Sequence, residues 1–470
     1  MSGAASRMSS ALDVIVIGGG IAGLAAAYEL HTRGVPFAVL EQAPRAGGVI
    51  WSEQVDGFTI DAGPDALLTQ KPEAIKLCEE IGLGGRLVPT QPPRLAFIQR
   101  GGRLHPLPAT SVLGIPTALG PFIKTRLFSW TGKLRMGAEL FVPRRPDKDV
   151  EADESIAQFI ERRFGAEAVR YLAEPLLAGI HAGRADRLSM RTLFPRLVQT
   201  EQRHGSLLRA FRRPARKPPA SADGAFRSLP GGLSEMVCTL VAALPSGSVR
   251  LNSEVTAFAG SGGRFRVSTA SGSVLDSRAI VFSTPAFVTA ALVKDLDPEL
   301  AKRCDEVPYA STATIALGFA REAVAHPLNG SGFVVPRGEG TGILAASWLS
   351  SKWPHRAPGD RVLMRTFVGG ARDPWALSDT DEELIDRSLQ ALTPLLGIKG
   401  DPLLARVYRF DRASAQHEVG HSVRLAAIER ALARHPGVFV TGSGFRGVGI
   451  PDCIADARAT ASKVTEWLRS

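Results

Sequence analysis

Residues 417–421 read His-Glu-Val-Gly-His, the H-E-x-x-H pattern in which two histidines on one helix face bind zinc and the glutamate acts as a general base. The residues that should complete such a site are missing. Arg424 and Ala427 stand where one class of zinc protease needs glycine and a third histidine. Gly420, between the two histidines, also weakens the helix that would present them. We therefore interpret the match as accidental and expect no bound metal.

A glycine-rich turn near the start of the chain indicates a different chemistry, the binding of a dinucleotide. The stretch 14–17 is apolar and entirely β-branched, which is typical of a buried parallel strand, and an alanine-rich segment that should be helical follows it. The G-x-G-x-x-G spacing between them allows a tight turn, close approach of a pyrophosphate, and helix–strand packing. The candidate cofactor-binding residues of this turn are Gly18, Gly19, Gly20, Ile21, Ala22 and Gly23.

A second predicted strand covers residues 35–40, and Glu41 and Gln42 follow at its end. An acidic side chain at this position can accept hydrogen bonds from both ribose hydroxyls of an adenosine. We therefore add Glu41 and Gln42 to the candidate cofactor-binding residues.

Composition excludes several classes of protein. Hydrophobic residues make up 44% and charged residues 22% of the 470 residues, as in ordinary globular proteins. The four cysteines lie far apart, which argues against a disulfide framework and favours a reducing compartment. The net charge of +10 favours anionic partners, but no nucleic-acid-binding motif accompanies it, and no long uncharged apolar stretch predicts a membrane span.

The segment from Glu41 to Gly48 reads E-x-x-x-R-x-G-G and resembles the second signature of the flavin amine oxidase-like superfamily. The resemblance implies that this loop covers the pyrophosphate of FAD and that a later turn, residues 63–66, passes close to the flavin. No cysteine stands where related enzymes link their flavin, so the FAD should be non-covalent. The cofactor-binding residues implied here are Arg45, Gly48, Val49, Gly63, Pro64, Asp65 and Ala66.

The C-terminal segment 444–457, "GFRGVGIPDCIADA", is similar to the signature of the FAD-dependent, oxygen-using protoporphyrinogen oxidases. Backbone N–H groups of Val448, Gly449 and Ile450 are expected to meet flavin N1 and O2, where a helix start would stabilise the anionic reduced flavin. The same resemblance implies FAD contacts from Val255, over the adenine end, and from Phe410.

The function implied by this resemblance is the oxygen-dependent oxidation of protoporphyrinogen IX to protoporphyrin IX in haem biosynthesis. It would proceed in three rounds of hydride transfer to FAD, each releasing hydrogen peroxide. No catalytic side chain is assigned, because the flavin carries the chemistry. Gly179, Val334 and Phe367 are the expected substrate-pocket residues, with Gly179 allowing close approach of the macrocycle.

Several alternatives stay open. The substrate could be coproporphyrinogen III, the enzyme could be another flavin amine oxidase-like oxidoreductase, or the protein could bind FAD without catalysis. The sequence also departs from the family pattern: Phe410 replaces a frequent Trp, His417 a usual Tyr, and Val112 an Arg that pairs with a substrate carboxylate in eukaryotic members. Which group holds the substrate carboxylates is left unassigned.

The expected fold is α/β, with a discontinuous Rossmann-type FAD-binding domain, a mixed α+β substrate domain and a helical insertion. The FAD-binding domain should comprise residues 10–90, 220–300 and 430–470, and the substrate domain residues 91–105, 190–219 and 301–429; residues 106–189 form the helical insertion. A Pro- and Arg-rich stretch, 209–225, is expected to be a loop. We expect a cytoplasmic protein, with peripheral membrane attachment through the helical insertion and a homodimer left open.

Overall fold

The computed structural model describes residues 12–107, 111–112, 115–116, 123–146, 152–212 and 224–470. The side chain of Val112 and most of the predicted loop 209–225 lie outside the described residues.

Strands account for both large sheets and several short ribbons. In chain order they are β1 Leu12–Ile17, β2 Phe37–Leu40, β3 Ser52–Val55, β4 Phe58–Asp61, β5 Leu67–Leu68, β6 Val88–Pro89, β7 Phe97–Arg100, β8 Arg103–Pro106, β9 Ser111–Val112, β10 Ile115–Pro116, β11 Phe226–Ser228, β12 Val249–Arg250, β13 Val255–Ser261, β14 Arg264–Thr269, β15 Val274–Phe282, β16 Tyr309–Ala320, β17 Gly332–Val334, β18 Ala345–Trp348, β19 Arg361–Gly369, β20 Leu404–Ala415 and β21 Val438–Val440.

The α-helices cover the sheets and form a separate helical layer. In chain order they are α1 Ile21–Thr32, α2 Glu73–Glu80, α3 Trp130–Gly137, α4 Ile156–Phe164, α5 Ala166–Ala168, α6 Glu174–His181, α7 Met190–Leu193, α8 Pro195–His204, α9 Leu207–Arg212, α10 Ser234–Ala242, α11 Ala286–Val293, α12 Pro298–Asp305, α13 Leu349–Lys352, α14 Asp381–Leu396, α15 His421–Leu432 and α16 Ile450–Arg469.

The first large sheet has the strand order β12-β2-β1-β15-β14-β13, with β21 pairing with β15. β1 runs parallel to β2 and β15, and β15 runs parallel to β21, so strands from distant parts of the chain meet in one sheet. One face is covered by α1, α10 and α16, and α11, α12 and α15 contribute to the core on the other face. Leu24 and Leu30 of α1 are fully buried there. Each contributes roughly 1.5–3 kcal/mol relative to an exposed side chain.

The second large sheet has the order β20-β16-β19-β18-β17-β7-β8. Its outer face packs against α14, which begins with a capping box at Thr380 and Glu383 and ends at Gly397. Its inner face packs against β4, through residues such as Phe58 and Leu363. The inner face of the second sheet therefore lies against β4, which comes from the N-terminal part of the chain.

Helices α3 to α9 surround an apolar core that includes Phe159, Phe164 and Leu172. A buried ion-pair network lies beside this core, in which Arg163 contacts the carboxylates of Glu139 and Glu201. Because charges removed from water need partners, this network is satisfied only when the helices are docked together.

The expected α/β fold with a Rossmann-type sheet and a mixed second sheet is confirmed, whereas the domain limits stay a prediction. One local expectation was wrong: the sequence indicates a long helix from Cys453 onward, whereas the last helix begins at Ile450. Pro451 occupies the first turn of this helix. Proline suits that position, because an N–H there would have no partner within the helix and because the fixed φ of proline is helical. Among the described residues, no helix is both long and apolar enough to cross a membrane.

Candidate cofactor and substrate site

The turn between β1 and α1 has a shape that only glycine permits at two positions. Gly18 has a φ of +105° and donates its N–H to the carbonyl of Leu40 at 2.8 Å. A Cβ on Gly23 would lie 2.0 Å from the carbonyl oxygen of Gly18. These two glycines therefore fix the close packing of α1 against the sheet.

Gly20 has a different role, because its backbone conformation (φ −71°, ψ 177°) is open to any residue. A Cβ there would meet nothing within 4 Å, so the α-carbon faces open space at the start of α1. Gly20 is the N-cap of α1 and provides no side-chain acceptor for the first-turn N–H groups. The N–H groups at Ile21, Ala22 and Gly23 can therefore serve a phosphate, and a pyrophosphate fits this cradle.

The Glu41 carboxylate is fixed at the end of β2. One oxygen accepts the N–H of Gly19 at 2.6 Å and the other accepts the N–H of Ala43 at 2.9 Å. Each oxygen keeps lone-pair capacity for a ribose hydroxyl. Gln42 is exposed beside it. Ser253 donates its N–H to the carbonyl of Glu41 at 2.8 Å, which brings the start of β13, and with it Val255, to the adenosine end.

The loop after Glu41 closes over the glycine turn. Gly20 and Gly47 form a β-bridge, and a Cβ on Gly48 would lie 3.4 Å from the α-carbon of Gly20. Arg45 donates to the carbonyl of Gly48 at 2.7 Å, and its guanidinium lies over the Trp51 ring at 5.0 Å. Partial burial lowers the pKa of Arg45, against the opposing effect of Glu41. Arg45 thus holds this loop in shape, and Val49 is left 42% exposed beside it.

The turn 63–66 is held in place by buried charged side chains. A Cβ on Gly63 would lie 1.9 Å from the carbonyl oxygen of Val49, so only glycine fits there. Asp65 accepts hydrogen bonds from Lys352 at 2.6 Å, Trp353 at 2.7 Å and Arg365 at 2.9 Å. Burial by itself would raise the pKa of Asp65, but the two cations and these hydrogen bonds hold it well below its usual range. Pro64 and Ala66 are half-buried on either side of this anchor.

The C-terminal turn leads from β21 into α16. Gly449 is the N-cap of α16 and has no side-chain cap, so the N–H groups of the first turn are available to a ligand. Asp452, in that first turn, pairs with Lys71 at 2.6 Å. The thiol of Cys453 is buried and directed at the carbonyl of Gly447 at 3.2 Å, and burial raises its pKa to about 12. A buried, protonated thiol of this kind is not a reactive group.

The expected substrate-pocket residues lie on one face of the second sheet. Val334 pairs with Ala345, Ala345 with Phe367, and Phe367 with Thr314, so their side chains form one cross-strand row. Val334 and Phe367 are half-buried and are separated by the small side chain of Ala345. Gly179, on α6, lies over one end of this row: its Cβ would be 3.2 Å from Val334 and 3.5 Å from Ala345.

The end of the row at Thr314 reaches the turn 63–66. Thr314 donates its hydroxyl to the carbonyl of Ala62 at 2.8 Å, and the Arg365 guanidinium lies over the Phe367 ring at 4.7 Å. A Cβ on Gly63 would be 3.8 Å from the ring of Phe410. The structure therefore brings Phe367, Phe410 and the turn 63–66 together, with Gly179 and Val334 farther along the same row.

Sequence reasoning missed the charged groups that hold the site. Lys352 and Arg365 fix Asp65, and Lys71 pairs with Asp452. The pKa of His181 is lowered to about 4, first by burial and then by the nearby charge of Lys71. No local pattern marks these residues, because each partner lies hundreds of positions away in the chain or in another element.

The two histidines of the H-E-x-x-H stretch lie beside the C-terminal turn. α15 begins only at His421, and Gly420 before it has a φ of +86°, so the two histidines do not share a helix face. Their rings stack at 3.8 Å with an interplanar angle of 12°. Both Nε2 atoms contact backbone carbonyl oxygens, and within the described residues no cluster of three or more potential metal ligands occurs.

A Rossmann-type sheet with two uncapped helix starts and an acidic side chain at the end of β2 is typical of a dinucleotide-binding oxidoreductase. Comparison with known proteins agrees: the family model described as flavin containing amine oxidoreductase matches residues 21–465. The chain belongs to this family, as the sequence resemblance predicted, and FAD is its cofactor. The residues of the two turns and Glu41 are those that would hold it.

Individual relatives are similar over nearly the whole chain. A coproporphyrinogen III oxidase from Bacillus subtilis (strain 168) is 36% identical over 97% of this chain and 98% of its own length. The chloroplastic protoporphyrinogen oxidase of Nicotiana tabacum is 29% identical over 97% of this chain and 86% of its own. A crystal structure of a protein from Exiguobacterium sp. 255-15, provisionally named a protoporphyrinogen oxidase, superposes with a TM-score of 0.87. It has 32% identity and covers 98% of this chain and 100% of the other.

Proposed function

We propose that this protein oxidises a porphyrinogen to the corresponding porphyrin, using FAD, and that coproporphyrinogen III is its preferred substrate. The observation that carries the proposal is an FAD cradle facing a row of apolar side chains, in a chain 36% identical over its length to a coproporphyrinogen III oxidase. Protoporphyrinogen IX, the substrate expected from the sequence, is the alternative, supported by relatives that are 29–30% identical.

Bound FAD supplies two-electron oxidation, so removal of six electrons from a porphyrinogen takes three rounds, with oxygen proposed as the final acceptor. The protein's own residues bind and orient. Val334 and Phe367, which flank Ala345 in the row, offer apolar contact to the macrocycle. Thr314 fixes the row against the turn 63–66 through its bond to Ala62, which holds the macrocycle at a constant distance from the cofactor.

Several cations lie around the end of the row near α6 and suit an anionic substrate. Arg337 is exposed three positions after Val334, and its charge lowers the pKa of Arg372, which burial already lowers. Arg372 donates to the carbonyl of Glu174, at the start of α6, at 2.8 Å. We propose that Arg337 pairs with a substrate carboxylate at the mouth of the site. A substrate with four carboxylates gains more from such cations than one with two.

The test is a parallel turnover assay with coproporphyrinogen III and protoporphyrinogen IX, following porphyrin fluorescence, oxygen consumption and peroxide. We expect a higher kcat/KM for coproporphyrinogen III. Arg337→Ala should raise KM for that substrate with little change in kcat, because a uniform binding contact is lost. The exposed Arg264, on the far sheet, provides the control substitution. A preference for protoporphyrinogen IX would overturn the substrate assignment, and oxidation of amines alone would overturn the function.

Gly179 is tested separately, because its missing side chain faces Val334. Gly179→Leu should lower turnover far more than flavin content, since a bulky side chain would push α6 away from the row. Val334→Ala in the same chain opens space for the added side chain. Recovery of turnover in the double variant would show that packing of α6 on the sheet is what Gly179 provides. Normal turnover in Gly179→Leu itself would remove Gly179 from the site.

We also propose that the protein is cytoplasmic and attaches peripherally to an anionic membrane through the helical insertion. Trp130, Leu134 and Phe141 are 69%, 74% and 86% exposed and lie close together in the chain. Lys133 lies over the Trp130 ring at 4.4 Å, and Lys124 is exposed nearby, so apolar and basic groups occur together as at membrane interfaces. Replacing the three apolar residues with serine should abolish flotation with vesicles containing anionic lipid. Equal flotation of the variant would contradict the proposal.

A further inference from the structure

The segment 416–421 joins three parts of the molecule that the proposed chemistry needs in register. Gln416 donates its side-chain amide to the carbonyl of His181, at the end of α6, at 2.9 Å. Ser189, at the start of α7, donates its N–H to the carbonyl of His417 at 2.9 Å. The side chains of His417 and His421 reach the C-terminal turn. The segment therefore links α6, α7 and the C-terminal turn between β21 and α16.

The contacts to the turn define the protonation of both rings. Nε2 of His417 lies 2.8 Å from the carbonyl oxygen of Ser443, and Nε2 of His421 lies 2.8 Å from that of Phe445. A carbonyl oxygen can only accept, so each Nε2 carries the hydrogen and donates it. Nδ1 of His421 is buried and has no hydrogen-bond partner among the described residues. Both side chains are 1% exposed, and two stacked rings in such a place are stable only as neutral imidazoles.

The opposite side of the same turn is held by different groups. Asp456, on α16, accepts the Thr441 hydroxyl at 2.7 Å and the N–H of Gly442 at 3.2 Å. The turn is thus fixed at its start from α16 and at Ser443 and Phe445 from the two histidines. The residues that follow, from Val448 to Ile450, carry the free N–H groups at the start of α16.

We propose that His417 and His421 are positioning residues for the flavin. Through the carbonyls of Ser443 and Phe445 they set the direction of the N–H groups of residues 448–450, and they keep this turn in register with α6. They do not touch the reacting atoms. The inference rests on the proposed function in one respect, the assignment of this turn to the flavin end of the cofactor.

The test compares amide replacements of different length. In His417→Gln and His421→Gln the amide nitrogen reproduces the position of Nε2, whereas in the Asn variants it is too short to reach the carbonyl. Each lost bond should weaken FAD binding about fivefold, the equivalent of about 1 kcal/mol, and the double Asn variant roughly thirtyfold. The Gln variants should bind FAD close to normally. Replacement of the exposed His204 by alanine is the control.

The decisive readout is the reduction potential of the bound flavin, measured by dye equilibration without any porphyrinogen. A loosened turn stabilises the anionic reduced flavin less, so the potential should fall in the Asn variants and return in the Gln variants. An unchanged potential and FAD affinity in the double Asn variant would overturn the inference. Because neither readout uses a porphyrinogen, failure of the proposed substrate assignment leaves this result intact and is seen only in the turnover assay.

Discussion

The turns at 18–23 and 442–449 each lead from a buried strand into a long helix, but they are held in different ways. The first is shaped mainly by glycines and by residues nearby in the chain: Gly18 bonds to Leu40, and Gly23 packs directly on the Gly18 carbonyl. One contact comes from a distant part of the chain, where the Ser283 hydroxyl donates to the Gly18 carbonyl at 2.7 Å. The second is held by side chains from α15 and α16 and from the segment before α15. The comparison shows that the first turn depends mainly on residues near it in the chain, whereas the second depends on the assembled fold.

The largest effect should come from breaking the first turn with Gly23→Val. The new side chain would meet the Gly18 carbonyl at 2.0 Å, a clash with backbone that no rotamer avoids. The destabilisation should exceed the roughly 3 kcal/mol typical of overpacking. We expect little folded protein by circular dichroism. Gly137→Val, at the end of α3, where φ is −65° and a Cβ would meet nothing within 4 Å, tests whether loss of a glycine at a helix end is enough.

A slightly smaller effect is expected at the flavin end from Asp65→Ala. The substitution leaves Lys352 and Arg365 buried without their carboxylate, which costs about 3–5 kcal/mol. Urea denaturation should show this loss of unfolding free energy. The exposed pair of Arg266 and Asp276 is the matched control, and Asp276→Ala should leave the free energy of unfolding almost unchanged. Equal losses in the two variants would show that burial of the Asp65 cluster does not matter.

Gly20→Val separates binding from folding within the first turn. The backbone conformation suits valine and a Cβ there meets nothing within 4 Å, so we expect the apoprotein to fold normally. The side chain would occupy the place of the pyrophosphate, and FAD affinity should fall at least a hundredfold, equivalent to about 2.7 kcal/mol. Flavin absorbance after reconstitution measures this. Normal FAD binding would place the pyrophosphate elsewhere.

Mild acid should destabilise the turn 442–449 more than the turn 18–23. Burial, and then the neighbouring His421, lower the pKa of His417 to about 3, whereas in the unfolded chain it is near 6.5. Between pH 3 and pH 6.5 the unfolded state therefore binds more protons at this histidine than the folded state does. The contribution of the neutral histidine to the free energy of unfolding is fully present above pH 6.5 and is lost as the pH falls toward 3. At pH 5 the loss should reach about 2 kcal/mol for this histidine. His417→Gln should flatten the pH dependence of unfolding, and an unchanged slope would contradict this origin.

The sequence alone determined the Rossmann-type sheet and the first turn. Apolar strands and glycine spacing are local properties, and Gly18, Gly20 and Gly23 act through their own backbone and that of near neighbours. The motif of segment 444–457 indicated the family in the same way, and the family was confirmed. The start of α16 was misjudged by three residues, because the cue for it is Pro451 in the first turn and not the apolar residues that follow.

Only the tertiary structure decided how the charged and histidine side chains are used. His417 and His421 match a zinc motif in sequence, yet Gly420 turns the chain between them and each ring donates to a carbonyl more than 20 positions away. Asp65 meets Lys352 and Arg365 across nearly 300 positions, and only sheet register places Val334 and Phe367 on either side of Ala345. Side-chain partners that distant carry no periodic or spacing signal, because folding brings them together after the local elements have formed.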